Sequence, residues 1–197
     1  MTKMLSRHVV MVLSCMVMGC GLDSSEERVS GAQDQKTNPD AQVLKDFKNR
    51  VDNYVELRME LKKLTPPLKQ TKDAAEIDAA QASLANELQL ARETAKRGDI
   101  FSPEVTLLFR KLMSPKMKGQ EGKEAKEVMK EDTPKGVPIK INAKYPESAP
   151  LPTVPPGLLS ALPKLPEDLE YRFIDKDLIL LDTQANLIVD YIPNAIR

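Results

Sequence analysis

The chain has one histidine, two cysteines and no tryptophan in 197 residues. His8, Cys15 and Cys20 all fall within the first twenty positions, so residues 21–197 hold neither imidazole nor thiol. A Ser-His-Asp or Cys-His site cannot be assembled from them. Zinc, copper(II) and iron sites that need His or Cys are excluded there, and haem has no His or Cys axial ligand. No disulfide can staple the fold in an oxidising compartment, so stability must come from packing. Acid–base chemistry would fall to Asp, Glu, Lys or Tyr. The aromatics number four Phe and four Tyr, a paucity that argues mildly against the stacking platforms that line carbohydrate or nucleobase sites. Eight glycines are scattered and none forms a phosphate-cradling loop. The longest apolar run, residues 9–18, is about half of what a bilayer span requires.

That short run belongs to the most informative segment. Lys3 and Arg7 precede Val9–Met18, and Gly19-Cys20 follows. Two cations, a brief apolar core and a small residue before a cysteine make an export signal. Val17-Met18-Gly19-Cys20 resembles the lipobox of bacterial lipoproteins: Val17 and Gly19 match, and Met18 departs from the usual smaller or branched residue. Val12-Leu13-Ser14-Cys15 also fits loosely, after a run too short for a signal. The other reading is an ordinary secretory signal with an incidental cysteine.

The resemblance implies that residues 1–19 are removed and that Cys20 carries diacylglycerol and an N-acyl chain. Each buried methylene contributes about 0.8 kcal/mol, and two or more chains anchor stably. It also implies an exported, membrane-anchored protein facing the periplasm or the cell surface. Gly21, where enteric lipoproteins destined for the inner membrane carry Asp, favours the outer membrane if two membranes are present.

Charge is balanced at 29 basic and 29 acidic groups, but unevenly distributed. Residues 110–145 hold ten basic and five acidic groups, whereas residues 146–197 hold four and eight. The basic segment reads as a solvated stretch, or as a surface for anionic lipid or cell-wall polymer.

The expected fold class is α+β. Residues 20–38 are a polar, disordered tether. Asn38-Pro39-Asp40 opens a helix that ends near Leu64, with Leu44, Phe47, Val51, Tyr54 and Leu61 on its stripe. Asp73 and Glu76 cap a second helix, with Ile77, Leu84, Leu88, Ala91 and Ala95 on its stripe and Gly98 as terminator. These two form an antiparallel helical hairpin. Ser102-Pro103-Glu104 starts a third helix whose buried face is Val105, Leu108, Phe109, Leu112 and Met113. The helical domain is 39–113, followed by a mobile charged segment over 114–136 with a short helix at 122–131. Residues 137–197 hold a Pro-rich connection and a small β module. Alternation predicts a strand over 137–145 with Ile139, Ile141, Ala143 and Tyr145 on one side. Leu169–Ile174, Leu178–Asp182 and Leu187–Ile192 then form an antiparallel β-meander.

Candidate chemistry is sparse. Asp175, Asp177 and Asp182 are expected to cluster at one end of the meander, where oxygen ligands alone would suit calcium, but the spacing lacks the glycine and terminal glutamate of an EF-hand loop. Met113 and Met117 bring paired thioethers, with Pro115 between them breaking the shared face that copper(I) would need. Pro152–Pro155 and Pro163–Pro166 match P-x-x-P spacing and read more simply as stiff spacer. Gly98–Val105 and Leu165–Ile196 resemble segments of uncharacterised exported bacterial proteins, a resemblance that implies no activity. The expected function is that of a membrane-tethered envelope lipoprotein with a non-enzymatic interaction or structural role. Cys20 is its lipidation site, with no catalytic residue, metal or cofactor, and its partner would be an envelope protein and not nucleic acid. The alternative is a module that binds anionic lipid or cell-wall polymer through residues 110–145.

Overall fold

A computed structural model describes residues 38–66, 73–133, 136–146 and 149–196. The expected signal 1–19, Cys20 and the tether up to position 37 lie outside the described residues. Five helices and a three-stranded antiparallel sheet make a mixed α and β unit, with the sheet at the C-terminal end.

Helix α1 spans Pro39–Lys62, and Asn38 caps it by accepting from the Asp40 amide at 3.0 Å. Its buried stripe is Phe47, Val51, Tyr54 and Arg58, at alternating four- and three-residue steps. The stripe begins apolar and ends polar, so its second half must find partners inside. Helix α2 spans Ala74–Ala91, with Asp73 accepting from the Ala75 amide at 2.9 Å. It stops seven residues before Gly98, shorter than the sequence pattern suggests. The cause is tertiary. The Asn142 amide donates to the Arg92 carbonyl at 2.7 Å, supplying a partner that a helix end otherwise lacks. Ala91 is consequently exposed.

Helix α3 spans Pro103–Met113, with Ser102 Oγ accepting from the Val105 amide at 3.3 Å. Val105, Leu108, Phe109 and Met113 are buried as expected, while Leu112 is only half-buried. A 3-10 turn, Ser114–Met117, leads to α4 at Gly119–Asp132, longer than the expected 122–131. Gly122 lets α4 approach that turn: a Cβ there would lie 2.2 Å from the Met117 carbonyl carbon. Met129 of α4 is buried, and the Thr133 hydroxyl accepts from the Asp175 amide at 3.1 Å. Helix α5 is a single turn, Pro156–Leu159.

Strands β1 (Leu169–Ile174), β2 (Asp177–Asp182) and β3 (Leu187–Ile192) pair in sequence order. Leu169 faces Asp182 across β1 and β2, Ile174 faces Asp177, and β2 pairs β3 with a bulge between Leu180 and Leu181. The expected strand over 137–145 is a correction. The chain turns at residues 141–142, Asn142 takes φ 59, and one bridge joins Lys144 to Leu187. Pro138 and Pro146 withhold donors on either side. Asn tolerates the left-handed region, which frees its side chain to serve Arg92. Of the four alternating residues, Ile139 and Tyr145 pack in the cluster on the outer face of the sheet.

Alternation along the strands gives the sheet two apolar faces. Leu169, Tyr171, Phe173, Leu178, Leu180 and Val189 share one core with α1, α2 and α3. Phe109 anchors that core, its ring centroid 5.0 Å from Phe47, 5.7 Å from Phe101 and 6.1 Å from Tyr171. Ile174, Ile179, Leu181 and Ile188 face the other way, under Tyr145 and Ala149. From Ala149 on that second face the chain runs past β1 to Val154 and Leu158 on the first. Arg172 donates to the Pro152 carbonyl at 3.5 Å and Tyr171 to the Pro163 carbonyl at 3.1 Å along the way.

Candidate functional site

Two aspartates within the sheet are fully buried, Asp182 at the end of β2 and Asp190 in β3. A buried carboxylate demands donors, and each has its own set. Asp190 accepts from the amides of Ile100 at 2.9 Å, Phe101 at 2.8 Å and Tyr191 at 2.8 Å, and from Gly98 at 3.1 Å. Gly98 takes φ 95 in this loop, a conformation open to glycine at little cost. Asp182 accepts from the Tyr54 hydroxyl at 2.7 Å and from Arg58 Nη1 at 3.4 Å. The amides of Gln184 at 2.9 Å and Ala185 at 3.1 Å complete its shell.

Arg92 links the two. Its guanidinium lies 5.0 Å from the Tyr54 ring centroid and donates to Asn142 Oδ1 at 2.8 Å and the Val189 carbonyl at 3.0 Å. Burial lowers its pKa, opposed by Tyr54 and by the charges of Asp190 and Asp99. Burial raises the Tyr54 pKa far above the ordinary phenol value, and the Asp182 charge and hydrogen bond push the same way. Burial likewise raises Tyr171 and Tyr145. These groups are held in fixed protonation states by satisfied partners, which suits a structural brace.

Three of the concavities differ in character, the first of them bordering this frame. A polar cleft of about 480 Å³ is lined by Asn49, Asn53, Tyr54 and Arg92 beside Asp99. Its Arg50 is already committed to Asp46 at 2.7 Å and to the Asp99 carbonyl at 2.8 Å. A groove of about 970 Å³ runs beside β1, lined by Leu151, Leu159, Leu165, Tyr171 and the prolines Pro152 and Pro163. The third, about 570 Å³, lies between α3, the 3-10 turn, α4 and the C-terminal residues Ala195 and Ile196. Met113 and Met117 lie at its base, and Arg110, Lys111, Lys118 and Lys126 surround them.

The sequence candidates are placed as follows. Asp175 and Asp177 sit at the β1–β2 turn, whereas Asp182 lies at the far end of β2. Six residues of strand put the two ends roughly 17 Å apart, so the three acids do not form the cluster that their sequence proximity suggests. Asp177 instead accepts from the Asn194 amide at 2.8 Å. Among the described residues no group of three His, Cys, Asp or Glu is placed to hold a metal. Met113 and Met117 both belong to the buried core. The basic segment divides: Arg110, Lys111, Lys118 and Lys126 converge on one pocket, while Lys144 borders β3.

Sequence reasoning missed Asp190, Tyr54, Arg92 and Asn142 as a unit. One signal was present, a lone acid within the apolar run Leu187–Ile192. Among the described residues no helix is long and apolar enough to cross a membrane. No protein-family model, curated protein or solved structure matches the chain.

Proposed function

We propose that this protein is an envelope lipoprotein, anchored through Cys20, whose folded unit has a non-enzymatic interaction or structural role. The observation that carries the reading is the Val17-Met18-Gly19-Cys20 ending of a short export signal. The engagement of both buried aspartates by structural donors adds support, since neither is left to act on a substrate. In this reading α1 and α2 are an antiparallel hairpin and the Pro-rich stretch before β1 is a stiff connection. The body faces the periplasm or the cell surface, with the outer membrane favoured where two membranes exist. Its partner is an envelope protein.

Mass spectrometry of the exported protein tests the anchor. The expected N-terminus is an acylated Cys20, and the Cys20→Ser variant should leave washed membranes. An unmodified N-terminus, or undiminished pelleting of Cys20→Ser, overturns it. Crosslinking in intact cells tests the role, with a specific envelope protein expected above background.

A further inference from the structure

We infer that the pocket between α3, α4 and the C-terminal residues takes an anionic lipid, its acidic head among the cations and its chain on the methionine floor. This deepens the alternative reading of the basic segment 110–145 and is independent of the anchor at Cys20.

The floor is apolar: Met113, Met117, Ala195 and Ile196 are buried and line the cavity. Thioether side chains are adaptable, which suits a flexible alkyl chain. The rim is cationic. Lys111 is paired with Asp40 at 2.7 Å. Arg110, Lys118 and Lys126 have no ion pair with a carboxylate among the described residues. Arg110 spends Nη2 on the Pro193 carbonyl at 2.6 Å, and its Nε finds no acceptor among the described residues.

Among the described residues these three cations have no carboxylate partner over an apolar base, and an amphiphile with an acidic head is complementary to both surfaces at once. Helix α4 sharpens the sign. By 3.6-residue periodicity Glu124 and Glu131 lie across the helix from Lys126, and Glu127 lies about a quarter-turn from it. A bilayer is the favoured source of the lipid because Leu107, on the same rim, is 66% exposed. An apolar side chain beside lysines is how a peripheral surface meets the headgroup boundary.

The test uses the full chain carrying Cys20→Ser, floated with phosphatidylcholine vesicles with and without phosphatidylglycerol. Binding should require the anionic lipid and weaken with salt. Lys118→Gln with Lys126→Gln, both exposed, should reduce vesicle affinity about tenfold. Lys140→Gln with Lys144→Gln removes the same charge elsewhere in the segment and should leave it within about twofold. Dodecyl phosphate should compete and inorganic phosphate should not. Leu107→Ser should weaken vesicle binding while sparing dodecyl phosphate. Equal losses from the two lysine pairs would reduce the site to diffuse charge and overturn it. Absence of any binding, or competition by inorganic phosphate as strong as by dodecyl phosphate, overturns it too. An unchanged Leu107→Ser overturns the bilayer as source.

Discussion

Asp182 and Asp190 occupy neighbouring strands with equal burial, yet they are satisfied in different ways. Asp190 gathers main-chain amides from the loop between α2 and α3. Asp182 gathers the side chains of Tyr54 and Arg58 from one helix, together with two amides of its own turn. The first arrangement shapes a loop that is also held by Arg50 at the Asp99 carbonyl and by Phe101 in the core. The second docks α1 onto the sheet through groups that substitution can remove one at a time. Both buried charges have donors, but only at Asp182 do other side chains supply hydrogen bonds to the carboxylate.

The sharpest way to break the contrast is at Asp190. Asp190→Ala leaves several buried amides without an acceptor, and stability should fall by about 4 kcal/mol or more in urea unfolding. A loss under about 1 kcal/mol would mean that the loop holds its course without the carboxylate. Gly122→Ala comes next, because its methyl meets backbone at 2.2 Å and not a yielding side-chain tip. It should cost about 1–3 kcal/mol by forcing α4 away from the 3-10 turn, with exposure of Met129 readable by oxidation and mass spectrometry.

Tyr54→Phe should cost about 1–2 kcal/mol. Combined with Asp182→Ala in a double-mutant cycle, it should show a coupling of at least about 0.5 kcal/mol. Additive losses would dissolve the proposed brace.

The smallest effect at neutral pH is linked to protonation. Tyr54 has its pKa raised by folding, so the folded chain holds this proton more tightly than the unfolded one. Its contribution is fully present below about pH 10, the unfolded phenol value, and is lost as pH rises beyond it. The wild-type stability should decline above that pH, and Tyr54→Phe should decline less steeply, by about 1.4 kcal/mol per pH unit. Parallel slopes in pH-dependent urea melts would refute the assignment.

Local chemistry made much of this fold legible. Asn38, Asp73 and Ser102 cap their helices as side-chain acceptors should, and β-rich runs bounded by turn residues located all three strands to within one residue. What stayed hidden depends on distant partners. Helix α2 ends at Ala91 because Asn142 reaches its last turn, and the same asparagine interrupts the strand expected over 137–145. Both departures are one contact, made across a sequence gap that no local pattern spans. The lipid pocket was partly foreshadowed by the basic segment, but its floor joins α3 to Ile196. Met113 was legible as core, but neither it nor Met117 was legible as the lining of a cavity.

The covering of the sheet has a consequence for crowding. Residues 142–145 bond to the outer side of β3. At the opposite rim, beside the chain that carries Pro152 and Pro163, Tyr171 and Phe173 retain at most 3% exposure. An open strand invites polymerisation with identical neighbours, a hazard that grows when many copies share a two-dimensional surface. At Asn186–Ile188 the β3 rim is already occupied by the chain's own polypeptide, which leaves adjacent molecules less free ladder to extend there.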